Sequence, residues 1–295
     1  MTVRTTPFRP TLSTLGVTPP TVALSVVLPC YKAGALARSS VMRLTHAFAG
    51  RIPSYEIIVV DDGIGDCERV LRDLPPGPGG QLHVITLPEN RGKGGAVAAG
   101  MKAATGLVRV FTDIDVPYGT TPIMLVESLI RNRGFHVVIG DRTFPQSRYE
   151  TAIPFGRRMA SAFFSKLTAT LVTGGFFDTQ CGLKGFRGDI AEALFGLQSV
   201  ERFAFDVELL YLALSYGLEI KRIPVMLESS VGDSTVRIGR DSLQTFLDLA
   251  RIKRNQMRGA YENAALASIV ALECHAGMAA LRTPVAERRA LRVER

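Results

Sequence analysis

Short apolar runs alternate with helix-compatible stretches from residue 23 onward. Five of these runs have the length of β-strands, and they cover residues 23–29, 55–62, 81–87, 107–113 and 135–141. The intervening stretches, such as 35–49, have the composition of helices. Strands that are apolar on both faces and alternate with helices are typical of a parallel sheet covered on two sides. The pattern therefore predicts an α/β fold, with helices on both faces of a mostly parallel central sheet.

Polar and charged residues follow each of these runs. Right-handed crossovers place the carboxyl ends of parallel strands on one edge of a sheet, and ligands of open parallel sheets bind along that edge. We therefore expect the residues that follow the runs to form a site. They are Tyr31 and Lys32, Asp61 and Asp62, Arg91 and Lys93, Asp113 and Asp115, and Asp141 and Arg142.

The tripeptide from Asp113 to Asp115 has the composition of a divalent-cation site. Strand alternation would place its two carboxylates on one side, where they repel each other unless a cation neutralises them. Mg2+ and Mn2+ prefer oxygen ligands and take further oxygens from phosphates. The alternative is that one aspartate caps the next helix and the other is solvated.

A glycine-rich turn, "ENRGKGGAVAAG" at 89–100, connects the third run to the next helix. Amides at a helix start, together with Lys93, favour a phosphate, whereas the alternative is a turn in which glycine permits tight packing. The segment is neither a Walker A loop nor a dinucleotide fingerprint, so those two chemistries lose support. Asp61 and Asp62 either form a plain turn or accept from a base or ribose hydroxyl. Pro29 and Tyr31 either face a nucleobase or pack internally.

Composition narrows the class of partner. The 295 residues carry 35 basic and 27 acidic side chains, a net charge of +8, which suits an anionic partner such as a phosphorylated molecule or an acidic membrane. Acids that converge on the sheet edge would repel a nucleic acid. The four cysteines lack metal-type spacing, which favours a reduced, cytoplasmic setting. We also expect no transmembrane segment and no signal peptide, and we interpret residues 1–22 as a flexible tail.

Four motifs, in this order and spacing, resemble the nucleotide-sugar half of family 2 glycosyltransferases with the GT-A fold: "SVVLPCYKAG", "EIIVVDDGIGD", "NRGKGGAVAAGM" and "FTDIDV". Three later segments, at 178–195, 202–225 and 232–253, resemble the branch of dolichyl-phosphate glucose and mannose synthases and bacterial polyprenyl-phosphate glycosyltransferases. The likeness covers about residues 23–255. It implies a metal-dependent, inverting transfer of a hexose from a UDP- or GDP-sugar to a polyprenyl phosphate.

The resemblance also implies roles for individual residues. We assign the nucleotide sugar to Pro29, Tyr31, Asp61, Asp62, Lys93, Gly94, Asp113 and Ser234. Asp113 and Asp115 would bind Mg2+ or Mn2+, and the reaction itself would involve Asp115, Arg142, Asp178 and Arg237. The chain departs from the family pattern at Lys32 and Ala33, where Asn-Glu is common, at Ile64, and at Pro117, where the mannose-synthase type has Gln.

The second half should select the acceptor. A phosphate acceptor needs cations, for which the candidates are Arg142, Arg157 or Arg158, and Arg237, because the planar guanidinium binds phosphate bidentately. By family alignment the loop "GDSTVRIGR" would close over the donor. A hydroxyl acceptor would need a general base, for which the candidates are Asp178, Asp206 and Glu208. A basic helix with Arg251, Lys253, Arg254 and Arg258 could face anionic lipid headgroups.

These expectations give one glycosyltransferase domain at 23–258, divided into a nucleotide-sugar half (23–142) and an acceptor half (143–258), and a basic helical tail at 259–295. The first hypothesis is a polyprenyl-phosphate glycosyltransferase that is cytoplasmic or peripheral on the inner face of a membrane. The second is a soluble enzyme of the same fold that glycosylates a small molecule or secondary metabolite. The match at 178–253 favours the first, and the departures at Lys32, Ile64 and Pro117 favour the second.

Overall fold

The computed structural model of the protein describes residues 19–144, 147, 178, 179, 181–228 and 238–282, with side chains omitted at 238–246 and 274–282. Its described strands form one seven-stranded sheet in the order β3-β2-β1-β4-β6-β5-β7. The strands are β1 (Val22–Cys30), β2 (Tyr55–Asp61), β3 (Gly80–Thr86), β4 (Gly106–Phe111), β5 (Val137–Asp141), β6 (Lys184–Arg187) and β7 (Ile220–Pro224). All five predicted strands are present within two residues of their expected bounds.

Helices cover both faces of the sheet. They are α1 (Gly34–Phe48), α2 (Cys67–Leu71), α3 (Gly92–Ala103), α4 (Thr121–Arg133), α5 (Gly188–Leu197), α6 (Phe205–Ser215), α7 (Ile238–Met257) and α8 (Ala264–Arg282). Leu24 and Val26 of β1 belong to the apolar core under α1, α2 and α4. Val27 belongs to the second core, under α3, α5, α6 and α8. The predicted α/β architecture is therefore confirmed.

Strand β6 was not predicted, and it makes the sheet mixed. It runs antiparallel between β4 and β5, which leaves β5 parallel to β4. The carboxyl ends of β1 to β5 consequently still meet at one edge, as the sequence predicts. A second difference concerns β3, which was expected to be covered on both faces. It is the outer strand of the sheet, and its side chains are half-buried or exposed.

The described helices include none that is both long and apolar enough to cross a bilayer. Residues 1–18, to which most of the predicted tail belongs, lie outside the described residues. Residues 259–282 lead into and form α8, and Leu266 and Ile269 of that helix join the core that contains Val27. The expected boundary between the two halves, at residues 142 and 143, stays a prediction.

Candidate active site

An ion pair lies at the carboxyl edge of the sheet. Lys93, in the first turn of α3, places its Nζ 2.6 Å from Oδ1 of Asp113, which follows β4, and both side chains are partly exposed. Burial alone would lower the pKa of Lys93, but the charges of Asp113 and Asp206 outweigh it and raise the pKa. Lys93 is therefore a protonated cation. A side chain at Gly182 would collide with the Asp113 carboxylate as it is placed here, so glycine leaves room for that carboxylate.

The prediction that strand alternation places Asp113 and Asp115 on one side is wrong, although the two residues do lie close together. Strand β4 ends at Phe111, so strand alternation does not apply to them. They lie in a turn closed by the Val116 N–H, which donates to the Asp113 carbonyl at 2.9 Å. Burial raises the pKa of Asp115, and the negative charge of Asp113 raises it further.

This arrangement fits a divalent cation. After burial, the negative charge of Asp113 is the second cause of the raised pKa of Asp115, and an ion between the two carboxylates would relieve that repulsion. The donors are hard oxygens at an accessible edge, which suits Mg2+ or Mn2+ with ligands completed by water and phosphate. Asp113 and Asp115 are therefore the described residues that could hold such an ion, and their metal role stays a prediction.

Asp61 and Asp62 organise the loops after β2 and β3. The Asp61 carboxylate accepts the N–H groups of Ile64, Gly65 and Cys67 at 2.8 to 3.0 Å. Burial would raise the pKa of Asp61, but these hydrogen bonds outweigh it and lower the pKa. Asp62 accepts from the Asn90 side chain and from two backbone amides, and burial raises its pKa. Their predicted contact with a nucleotide stays a prediction.

Several backbone N–H groups at the start of α3 already donate to acceptors within the protein. The N–H groups of Arg91 and Gly92 donate to Asp62, and the N–H of Gly95 donates to the carbonyl of Glu201. A Cβ at Gly94 would lie 2.7 Å from Cβ of Phe205. Tight packing, the alternative interpretation of this turn, therefore describes Gly94. A phosphate at the helix start stays a prediction.

Pro29 and Tyr31 stand at the end of β1. Pro29 is half-buried within the strand, opposite Val60. Tyr31 exposes 42% of its surface, and Nζ of Lys32 lies 5.2 Å from the centre of its ring. An exposed ring at this edge is available for stacking, but the nucleobase contact stays a prediction.

A group that the sequence did not suggest consists of Asp61, Asp66 and Cys67, whose potential ligand atoms lie within 4.8 Å of one another. We assign no metal to it. The Asp61 oxygens already accept three N–H groups. The Cys67 pKa is raised far above its ordinary value, first by a hydrogen bond with Cys30 and then by burial, so the group is a neutral thiol. Cys30 and Cys67, which are distant in sequence, are therefore neighbours in the core.

Arg142 and Asp178 form a bidentate pair. Nε and Nη2 of Arg142 lie 2.9 and 2.7 Å from the two Asp178 oxygens, and the Arg142 N–H also donates to Asp178. Burial alone would raise the pKa of Asp178, but Arg142 outweighs it and lowers the pKa. The structure thus brings these two predicted residues together, and Asp178 fixes the orientation of the guanidinium.

The other two candidate bases also have partners inside the protein. Asp206 pairs with the fully buried Lys184 at 2.7 Å, and burial raises the pKa of Asp206 against the opposing charges of Lys184 and Lys93. Glu208 accepts from the N–H groups of Ser199 and Val200 and from the hydroxyl of Tyr261. Sequence reasoning missed Lys184. The available signal was a lysine between Leu183 and Phe186, in a segment otherwise suited to burial.

Four predicted residues lie outside the described part of the chain. They are Arg157, Arg158, Ser234 and Arg237.

Comparison with known proteins gives the family. Residues 25–195 match the model of Glycosyl transferase family 2. The dolichyl-phosphate beta-glucosyltransferase of Homo sapiens is 31% identical over 264 residues, which are 82% of this chain and 78% of the relative. The enzyme of the same name from Drosophila melanogaster is 32% identical, covering 75% of this chain and 74% of the relative. That of Dictyostelium discoideum is 31% identical over 71% of this chain, and the match spans only 65% of the relative's length.

Solved structures agree on the fold. Glucosyl-3-phosphoglycerate synthase from Mycobacterium tuberculosis, in complex with Mn2+, UDP and glucosyl-3-phosphoglycerate, superposes with a TM-score of 0.58 at 20% identity. The likeness covers 79% of this chain and 80% of that one. The same enzyme in complex with UDP gives a TM-score of 0.59. The chain is therefore a glycosyltransferase with the GT-A fold, and it belongs to Glycosyl transferase family 2.

Proposed function

We propose that the protein transfers a hexose from a nucleoside-diphosphate sugar to a polyprenyl phosphate of the dolichyl type, with inversion and with Mg2+ or Mn2+ as cofactor. The observation that carries this proposal is the charge arrangement at the carboxyl edge, where Lys93 pairs with Asp113 at 2.6 Å beside Asp115. The names of the relatives support a lipid phosphate as acceptor and glucose as the sugar.

Asp113 and Asp115 would hold the cation through their carboxylate oxygens. When bound, the cation would offset the charge that grows on the leaving diphosphate. Lys93 orients Asp113 and adds a second positive charge at the same edge. Tyr31, Pro29, Asp61 and Asp62 would bind the nucleoside, which the exposure of the Tyr31 ring supports.

The engagement of the candidate bases supports a phosphate acceptor. A hydroxyl acceptor must lose a proton to a general base, whereas a phosphate is an anionic nucleophile at neutral pH. Asp178, Asp206 and Glu208 are each held by partners within the protein. Arg142, fixed by Asp178, would bind the acceptor phosphate through its planar guanidinium. Ser234 and Arg237, which lie outside the described residues, would complete the site.

We also propose a peripheral membrane contact through one face of α7 and the residue that follows the helix, which we call the α7 stripe: Leu247, Arg251, Arg254, Met257 and Arg258. All five side chains are exposed, while Leu249 and Ile252 are buried on the opposite face. Within the part of the chain that the structure describes, no carboxylate pairs with the three arginines. Cations interleaved with exposed apolar side chains suit an anionic lipid surface better than a nucleic acid.

Transfer of labelled sugar tests the proposal. Purified protein is incubated with Mn2+ or Mg2+, radiolabelled UDP-glucose or GDP-mannose, and dolichyl phosphate in detergent. We expect label in an organic-extractable, mild-acid-labile product, and none after chelation of the metal or omission of the lipid. Label that appears only in a water-soluble product would contradict the proposal of a lipid acceptor and would favour a soluble enzyme acting on a small molecule.

A further inference from the structure

The turn that carries Asp115 has an unusual backbone. Val116 has φ of 47° and Gly119 has φ of 73°. The left-handed region is rare for a β-branched residue such as valine, so the surrounding structure must hold this conformation. Within the turn, the Val116 N–H donates to the Asp113 carbonyl, and the Gly119 N–H donates to the Val116 carbonyl at 3.0 Å.

Two residues from distant elements hold the turn from outside. Nη1 of Arg43, in α1, donates to the Val116 carbonyl at 3.3 Å, and Arg43 also pairs with Glu228. The N–H of Glu228, which follows β7, donates to the Pro117 carbonyl at 2.9 Å. The Glu228 carboxylate fills the space beside Gly119 that a side chain would need. We call this pair the Arg43–Glu228 brace.

We propose that the Arg43–Glu228 brace positions Asp115 for cation binding. Arg43 and Glu228 are positioning residues. The Arg43 guanidinium donates to the Val116 carbonyl, the Glu228 main-chain N–H donates to the Pro117 carbonyl, and the Glu228 carboxylate holds Arg43 and lies beside Gly119. By holding the Val116 carbonyl through Arg43, and Arg43 through the Glu228 carboxylate, the brace keeps the turn in the conformation that brings Asp115 beside Asp113. This inference rests on the proposed metal role of Asp113 and Asp115.

Two roles of Arg43, as a nearby charge and as a residue that positions the turn, predict opposite effects of its substitution on metal affinity. Removal of a cation close to a cation site should tighten metal binding if only charge matters. Loss of the hydrogen bond to Val116 should weaken metal binding, because the turn relaxes and the two carboxylates separate. The direction of the change therefore distinguishes the two roles.

Titration of the purified protein with Mn2+, followed by calorimetry or by the electron paramagnetic resonance of free Mn2+, provides the test. We expect Arg43→Gln to raise the Kd for Mn2+ about tenfold, the size typical of residues that orient a metal ligand. Arg43→Lys keeps the charge but lacks the fork that reaches both Val116 and Glu228, so its Kd should be intermediate. The matched control is Arg38→Gln, on the same helix, where the exposed arginine donates to the Val70 carbonyl. Its Kd should be unchanged.

Hydrogen exchange of the amides at 112–120 gives a readout without metal. These amides should exchange faster in Arg43→Gln and Glu228→Gln than in the wild type, and at the wild-type rate in Arg38→Gln. Unchanged exchange in the two brace variants would overturn the proposal, as would unchanged or tighter Mn2+ binding in Arg43→Gln. If the wild type binds no Mn2+, the proposed metal role fails, and the exchange measurement alone decides whether the brace exists.

Discussion

The two edges of the central sheet carry the same kinds of charged residue, but they use them differently. At the amino edge, Glu56 is buried and accepts from the Ser25 hydroxyl and the Thr105 N–H at 2.5 and 2.6 Å. At the carboxyl edge, Lys93 and Asp113 remain 23% and 36% exposed. Charged composition alone therefore does not locate the site. What distinguishes the candidate site is that its acidic side chains are accessible and incompletely neutralised.

In a second cluster at the amino edge the charges are also paired, although Glu273 remains partly exposed. Nδ1 of His136 accepts the Glu219 N–H at 2.9 Å, so Nε2 carries the proton and donates to Glu273 of α8 at 2.5 Å. Arg187, at the end of β6, joins Asp189 to Glu273. Every charge in this cluster has a partner, and its effect is to attach α8 to the sheet.

Asp115→Asn should have the largest effect on the site at the carboxyl edge. Loss of one carboxylate removes a metal ligand, so we expect Mn2+ binding to disappear and turnover to fall by at least about 100-fold. Circular dichroism and the melting temperature should remain those of the wild type. Glu89→Gln makes the same charge change at an exposed position on this edge and should retain activity. Full activity in Asp115→Asn would remove the metal role.

Asp206→Asn tests the buried pair behind the carboxyl edge. It leaves the fully buried ammonium of Lys184 without its carboxylate, so the free energy of unfolding should fall by about 3–5 kcal/mol. Chemical denaturation measures the change. The double variant Lys184→Met with Asp206→Leu should recover most of this loss, because no unpaired charge remains. A single variant as stable as the wild type would contradict the structural role of the pair.

The α7 stripe can be tested with vesicles. Replacing Arg251, Arg254 and Arg258 by Gln should weaken co-sedimentation with phosphatidylglycerol-containing vesicles by up to about 3 kcal/mol, since each arginine near the surface contributes about 1 kcal/mol. Binding to phosphatidylcholine vesicles should not change. The control replaces three exposed arginines elsewhere, Arg69, Arg72 and Arg133, and makes the same change in net charge. Equal losses in both triple variants would mean that net charge, and not the stripe, attracts the protein.

Glu273→Gln should have the smallest effect and should depend on pH. Burial raises the pKa of Glu273, but His136 and Arg187 outweigh it and lower the pKa. A lowered pKa stabilises the folded state above the ordinary pKa of glutamate, and the stabilisation is lost as pH falls through the folded value. The wild type should melt about 1–3 °C above Glu273→Gln at pH 7, the size expected for a partly exposed ion pair. The two melting temperatures should converge below about pH 4. A constant difference from pH 7 to 3 would contradict this role of the charge.

The sequence predicts the frame of the sheet because its central strands are buried on both faces, so that local composition identifies them. It does not predict β6, since Lys184 and Arg187 are polar and are buried through ion pairs that include partners far along the chain, Asp206 and Glu273. The position of Asp113 was predicted by a wrong argument. After Phe111, only the Thr112 N–H continues the pairing with β1 before the chain turns, and no local pattern marks that end. The sequence left Glu208 as a candidate base because it does not show that the carboxylate already accepts the N–H groups of Ser199 and Val200.

The antiparallel strand has a consequence for attempts to dissect the protein. β5 belongs to the first half by sequence, but its strand partners, β6 and β7, both come from the second half. A fragment that stops near residue 142 would leave β4 with a bare backbone edge and β5 with no neighbour, which invites aggregation. The two predicted halves therefore share one sheet, and reconstitution from separately expressed pieces should require both pieces to fold together.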